Sequence, residues 1–508
     1  MSLDQTKPSI KVPSTAEQVK QEAISGVIRT AVFTLVGRVT TLIALFITGR
    51  LLSREAFAVY AFCYSSSALF AGLGRGSIAG LLLQKPKLFH RLRQPALAYS
   101  LTLNVSGILA GLCIIIFSNR LFNVWECFAV GTTLGVRAFL MTPITLYTSQ
   151  ISSALAFKEL TNVRIISITF KNLLSIALAF LGAGVHALSL PIMMATAYET
   201  IAFRSIVQRV AQEPRTIRTS SKRVLGWILK RSKWLIAVTI LTACMMNVDY
   251  FVVGQIGTAQ QLAAYYFAFQ LTASILEILI SGIQTVTIPV LVALKQHQQN
   301  VGLSIIRACQ ALNLIGLPTG FALATIVGPA VWLLWGDKWL DAIPCAELLA
   351  LAVIPRSFIA LLNSTLDASG AWSTRTFLLT ADIIGTGLIT WAGFSSGGIT
   401  YVGLYILLFS CGYSIFWCFI VSKEFSIQAE ALIRTNVTNL AMILGATAGH
   451  RALPLILPEA VLDYPFASSY WWGAMFFLQA LALIIFERPT LIMAWKNTEG
   501  IRRRFVRR

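Results

Sequence analysis

Eight ionisable side chains interrupt long apolar runs, and they are the groups in this sequence with chemistry to offer. The bases are Arg38, Arg75, Arg137, Lys171 and Arg356; the acids are Asp249, Glu277 and Asp382. A charge at membrane depth is costly, so such a group faces a cavity or a partner. Four of the five bases precede residue 209, and all three acids follow it. A basic first half suits an anionic group such as a pyrophosphate; the acids suit charge balance or a coupling cation. The competing reading is that these charges pair between helices and hold a bundle together. Neighbours at helical spacing extend several of them into polar faces. Thr34, Arg38, Thr41 and Thr48 share one face, which reads as a cavity wall. Arg75 sits in Gly72-Leu-Gly-Arg-Gly76, where small residues admit another helix or a ligand. Arg137 lies one turn past Thr133, and Lys171 is close enough to Arg164 to snorkel to the inner surface. Arg356 shares a face with Asn363 and Asp367. Gln270, Ser274, Glu277, Ser281 and Gln284 form the clearest polar stripe.

Other chemistries lack their residues. There is no GxxxxGKS/T loop, so the chain offers no ATP site of its own. His90, His186, His297 and His450 lie far apart, without metal-ligand spacing. No Ser-His-Asp or Cys-His arrangement can be drawn. The eight Cys are scattered with no CxxC pair and read as small buried hydrophobes. These absences point away from an enzyme and from any bound cofactor or metal.

The elements that must position the charges are membrane spans. Of 508 residues 56% are hydrophobic and only 12% charged, where a soluble domain carries about 25% charge. Residues 1–26 are polar and have no apolar signal core, so the first span is expected to stay as an anchor. At about 20 apolar residues per crossing, spans are expected near 28–50, 56–83, 96–118, 121–148, 163–183 and 186–207. A second set is expected near 234–254, 261–293, 303–327, 343–367, 374–395 and 398–421, with a last pair near 435–457 and 469–487. Placing the amino terminus inside puts roughly 31 Lys and Arg on inner segments against 5 on outer turns, a strong positive-inside bias. The net charge of +20 therefore reports orientation in the bilayer rather than nucleic-acid binding. Both termini are expected in the cytoplasm.

The organisation read from this pattern is a cytoplasmic tail (1–26), a first lobe of six spans (27–208), a basic cytoplasmic linker (209–233), and a second lobe of six (234–422). A helix pair (423–487) and a basic tail (488–508) follow. The linker carries a run of Lys and Arg that could meet anionic lipid headgroups. The lobes look duplicated. Gly49, Ala58, Tyr60 and Phe62 recur as Gly254, Ala263, Tyr265 and Phe267, each 205 residues later. Ser153, Leu155, Arg164 and Gly182 recur as Ser364, Leu366, Arg375 and Gly393, each 211 later. An even number of spans per lobe makes the repeat parallel, related by an axis along the membrane normal. The expected fold is thus an all-α polytopic membrane protein of two six-helix lobes with a parallel pseudo-two-fold, plus a C-terminal helix pair, about 14 transmembrane helices.

Several short stretches resemble one family. Asn247-Val-Asp249-Tyr-Phe-Val-Val-Gly254, continuing through Ala264-Tyr265 to Pro289, resembles the seventh and eighth helices of polysaccharide exporters of the multidrug/oligosaccharidyl-lipid/polysaccharide superfamily. Trp335-Gly-Asp-Lys-Trp339-Leu-Asp-Ala342 with Leu348–Leu351 is similar to that family's ninth-to-tenth turn, and Leu366-Asp-Ala-Ser-Gly370 to its next inner turn. Gly49–Tyr60 resembles its first outer turn, with Ala58 in place of the usual Gly, and Ala183–Leu188 its fifth-to-sixth turn. The resemblance spans about residues 25–425. It implies a flippase of polyprenyl-diphosphate-linked oligosaccharides in the bacterial inner membrane, serving O-antigen, exopolysaccharide or capsule assembly. It also implies polysaccharide polymerase or assembly proteins as partners, and a cationic cavity to which Arg38 and Arg75 would belong. Two other readings stay open. A cation-coupled multidrug antiporter of the same superfamily needs a net acidic cavity. A membrane polymerase or ligase carries a long basic outer loop, whereas the longest outer segment here, Pro454 to Ser468, holds no Lys or Arg.

Overall fold

The computed structural model describes residues 36–37, 39–71, 89–118, 121–153, 156–210, 234, 237–274, 301–425, 427–456 and 467–486. Among them the regular structure is helical throughout. Membrane depth dictates this, because a helix satisfies every backbone polar group within itself. The first lobe contains α1 (Val39–Leu51), α2 (Arg54–Ala71), α3 (Phe89–Ser118), α4 (Val124–Ser153), α5 (Phe157–Phe180) and α6 (His186–Val210). The second contains α7 (Ala237–Met245), α8 (Val248–Ile256), α9 (259–274), α10 (Val301–Trp335), α11 (Ile343–Ser369), α12 (Trp372–Gly397) and α13 (Ile399–Glu424). The pair α14 (Ala429–Ile456) and α15 (Ala467–Phe486) completes the chain.

Six helical runs among the described residues are long and apolar enough to cross a membrane. One, Gly302–Asp367, is two helices joined by the 3-10 turn Gly336–Ala342. Helices α7 and α8 are together long and apolar enough to cross, and they meet at a bend of 47°. The bend was not expected, and its cause is local. Asn247 leaves helical geometry (φ −138°, ψ −5°) while its amide donates back to the Ala243 carbonyl at 2.8 Å. The Asp249 carboxylate then accepts the Tyr250 backbone N–H at 2.9 Å, feeding an orphan donor of the new helix start.

Serine and threonine hydroxyls within the spans mostly donate to a carbonyl one turn back: Thr48 to Ala44, Thr196 to Ile192, Thr242 to Val238 and Ser410 to Ile406, each at 2.7 Å. Thr41 and Thr48 on the threonine face of α1 are satisfied in this way. Thr41 donates to Gly37 at 2.8 Å, and the Asn172 amide on α5 reaches Thr40 at 3.1 Å and Thr41 at 3.4 Å. Thr34 and Arg38 of that face lie outside the described residues.

The duplication read in the sequence is a duplication in space. Helix α4 packs along α6 as α11 packs along α13; α5 meets α6 as α12 meets α13; α3 meets α4 as α10 meets α11. Helix α15 lies along α10, and α14 touches α13 and α10. The largest buried apolar cluster draws Phe57 and Phe62 from the first lobe together with Tyr265, Phe267 and Trp339 from the second. The lobes are thus joined through a dry aromatic layer.

Candidate functional site

The seam between the lobes is built from the duplicated residues, exchanged across the pseudo-two-fold. A methyl placed on Gly49 would lie 3.4 Å from Phe267 and 2.6 Å from the Trp335 indole nitrogen. A methyl on Gly254, the counterpart of Gly49, would lie 3.3 Å from Phe62, the counterpart of Phe267. Each lobe's glycine therefore makes room for the other lobe's phenylalanine, the reciprocal contact expected of a two-fold interface. Phe267 stacks on Trp339 at 4.3 Å, and Phe57 meets the same indole edge-on at 5.4 Å.

A polar clasp locks one side of this seam at the end opposite the basic connections, here called the outer end. The carbonyls ending α1 have no partner within their helix. The 3-10 turn of the other lobe supplies one. The Lys338 ammonium donates to the Gly49 carbonyl at 3.0 Å, to Arg50 at 3.2 Å, and to Leu52. The Trp339 indole N–H also donates to Gly49, at 3.1 Å, and that of Trp335 to Phe46, at 3.1 Å. In return Arg54 of the first lobe grips Asp341 with two nitrogens at 2.8 and 3.0 Å and donates to the Lys338 carbonyl. Lys338 sits in the turn between two spans, where partial burial and the neighbouring Arg54 guanidinium lower its pKa below the ordinary lysine value. The cation at a helix carboxyl end is favourable, and here it serves a helix of the opposite lobe.

Inward of the clasp lies a layer of tyrosines. Tyr60 and Tyr64 of α2 stack at 5.7 Å, and Tyr60 meets Tyr266 of α9 at 6.0 Å. Tyr250 of α8 lies 5.5 Å from both Tyr265 and Tyr266. The Tyr265 hydroxyl donates to the buried Asp249 carboxylate at 2.7 Å. Beneath the layer, Arg137 on α4 spreads its guanidinium 6.0 Å from the Tyr64 ring, with its Nε buried and unpartnered among the described residues. At 1.5 Å per residue it stands about 20 Å down α4 from the outer end, near mid-membrane.

Residues 47–344 of the chain match the family described as polysaccharide biosynthesis protein. The chain belongs to that family. No curated protein matches it in sequence. Solved structures match in fold. The lipid II flippase MurJ in an inward closed conformation aligns at TM-score 0.65 and 11% identity, covering 92% of this chain and 100% of that one. An inward-facing multidrug resistance MATE family transporter of the MOP superfamily aligns at 0.63 and 15%, covering 80% and 99%. An outward-facing MATE transporter of that superfamily aligns at 0.58 and 15%, covering 84% and 100%. The pseudo-two-fold of this polysaccharide biosynthesis protein is consistent with these neighbours.

In this family member the charges singled out in the sequence fall into two neighbourhoods. Arg356 of α11 lies in the field of both Asp249 and Asp382, 5.9 Å over the Phe269 ring, so the second lobe gathers one base between two acids. Asp382 also accepts the Thr386 hydroxyl at 3.2 Å. Asp367, expected on the Arg356 face, instead pairs with Arg375 across the inner turn that Gly370 closes at φ 79°. In the first lobe Arg137, Lys171 and Arg164 all act on Glu199 of α6, which also takes the Ser167 hydroxyl. The expectation of a first lobe with no deep acid is therefore corrected. Glu199 was passed over because it sits eight residues past Pro191 in a stretch read only as apolar. Arg38, Arg75 and Glu277 lie outside the described residues. Sequence reasoning also missed Glu347, whose apolar neighbours Ala346, Leu348 and Leu349 hid it inside a span.

Proposed function

We propose that this chain is a flippase that carries polyprenyl-diphosphate-linked oligosaccharides from the inner to the outer leaflet of a bacterial inner membrane by alternating access. It does so for O-antigen, exopolysaccharide or capsule assembly. The observation that carries the reading is closure at the outer end of the seam: among the described residues a clasp and a tyrosine layer seal that end above a mid-depth guanidinium. That is the arrangement a two-lobed carrier needs while loading from the inner side. Membership of a polysaccharide biosynthesis family and a fold shared with a lipid II flippase favour a glycan-lipid cargo.

Within this reading the residues divide their roles. Arg137, with an N–H to spare, receives the diphosphate; a charge-assisted bond there is roughly twice as strong as a neutral one. Lys171 and Arg164 keep the region positive despite Glu199. Arg38 and Arg75 belong to the same cavity. Asp249, Asp382 and Glu277, with Arg356, serve charge balance or ion coupling in the other lobe. Nothing in the cycle makes or breaks a covalent bond, so the protein acts as a carrier rather than an enzyme. Polymerase and assembly proteins take the product on the outer face.

The test is a leaflet-resolved assay of labelled polyprenyl-diphosphate glycan in proteoliposomes. The native chain reorients the label faster than protein-free vesicles. Arg137→Ala slows it by about tenfold or more, the loss of one hydrogen bond to a charged group being about 1.5–3 kcal/mol. A native protein that leaves the glycan lipid in place but exports cationic dyes would replace this reading with the drug antiporter.

A further inference from the structure

Glu347 of α11 plays no part in the site above, yet it is a fully enclosed carboxylate near the outer end. It is 2% exposed and lies about 6 Å inside its helix. Its two oxygens are each held by a neutral donor from α15: the Ser468 hydroxyl at 2.8 Å and the Trp472 indole N–H at 3.2 Å. The titratable groups on surrounding elements do not neutralise it. His450 of α14 stacks on Trp472 at 4.8 Å, and the Arg451 guanidinium lies 4.9 Å over Tyr401 of α13. Cys345 on α11 is a buried thiol, and the described residues of α10 beside it are uncharged.

One side of the carboxylate packs closely against a glycine of α10. Gly328 of α10 lies so close that a methyl there would stand 3.5 Å from Glu347 Oε1 and 2.8 Å from the Ser469 hydroxyl. That hydroxyl is buried and has no hydrogen-bond partner among the described residues. An uncompensated carboxylate in an apolar setting takes up a proton before it tolerates its charge. A protonated carboxyl then needs an acceptor for its O–H, and the idle Ser469 oxygen stands on the same side, beside Gly328.

We propose that Glu347 is a proton-binding site loaded from the outer end, and that α14 and α15 are present to build it. Protonation converts one oxygen from acceptor to donor and so changes the grip of Ser468 and Trp472. Helix α11 begins directly after the turn that carries Lys338 and Trp339, so a change of grip at Glu347 acts on the helix that holds the outer clasp. This consequence for the clasp rests on the carrier reading; the site itself does not.

The experiment is infrared difference spectroscopy of the full chain in lipid across a pH series, the native protein against Glu347→Gln. The native protein carries a carboxylic-acid carbonyl band at neutral pH that the variant lacks, and glycan-lipid flipping responds to outer pH in the native protein but not in the variant. Ser469→Ala keeps the acid and shifts its band by removing the acceptor, which covers the case in which Glu347→Gln does not fold. A Glu347 that is ionised throughout the neutral range, or a band indifferent to Ser469→Ala, overturns the site. A band that behaves as described beside a pH response equal in both proteins overturns the link to the clasp. A native protein that moves no glycan lipid defeats the carrier reading and leaves the spectroscopic result standing.

Discussion

Lys338 shows how much one side chain can do when the backbone around it is short of partners. Three carbonyls at the end of α1 converge on its ammonium, and two of these bonds are partly sheltered from solvent. The Arg54–Asp341 pair beside it is more exposed, and such a pair contributes little on its own. Lys338→Ala is therefore expected to weaken the outer closure by about 1.5–3 kcal/mol, while Asp341→Asn costs well under half of that. Modification of an added cysteine at Phe57→Cys by an outside thiol reagent reads the difference as an increase in labelling rate. In the sequence Lys338 and Arg54 were visible only as two of the few basic residues on outer turns. Nothing in a linear pattern pairs a lysine with carbonyls 289 residues away. Interior charges were legible as a class for a different reason: a lone ionic residue among apolar ones stands out whatever it touches. Their partners were not legible, because Glu199 and Glu347 each sit among residues that look like ordinary lipid-facing helix.

At the scale of the element, the exchanged glycines matter most. Gly49 and Gly254 occupy equivalent places, but they tolerate a side chain unequally. Gly49→Ala meets the Trp335 indole at 2.6 Å, whereas Gly254→Ala meets Phe62 at 3.3 Å. Overpacking of the first kind costs about 1–3 kcal/mol, and it falls on the outer-closed state alone. Gly49→Ala is expected to favour outer opening, and Gly254→Ala to change it by less than half as much. The same cysteine-labelling assay compares them. The register of these elements was readable beforehand, since Gly, Ala, Tyr and Phe recur at one offset in both lobes. The 47° break between α7 and α8 was not, because it depends on where the Asn247 and Asp249 side chains point. The hydroxyl partners on the threonine face of α1 were illegible for a related reason. Helical spacing aligns polar residues, but a hydroxyl can spend itself on its own backbone or, as at Thr40 and Thr41, on the next helix.

For the molecule as a whole, the proposed function makes the outer-closed lobes one of the arrangements that a two-state carrier visits. A bridge that holds the outer turns together must then arrest the cycle. With Arg54→Cys and Asp341→Cys joined by a cleavable thiol cross-linker, in a background lacking the eight native thiols, glycan-lipid flipping is expected to stop. It should return when the linker is cut. Unchanged flipping in the joined protein would mean that the outer turns never separate. The helical two-lobed architecture and its parallel symmetry were open to sequence reasoning, because hydropathy is a property of long segments. Closure of the outer end is a property of a few contacts between distant turns, and it had to be seen.

The two flanks of the seam differ in what water can do to them. Where Lys338 holds α1, incoming solvent can serve the freed carbonyls and the ammonium almost as well as they serve each other. On the mirrored flank Phe62 rests against Gly254 with Phe122 behind it at 5.8 Å, and wetting those rings brings no such recompense. The lysine flank also carries the Phe267–Trp339 stack, but only there do polar groups regain partners from water, so in the proposed cycle separation is expected to start on that flank with the phenylalanine flank as the pivot. Under the proposed carrier reading the lobes swing like a door and leave a slot on one side, through which the tail of a lipid-linked cargo can remain in the bilayer while its head group crosses.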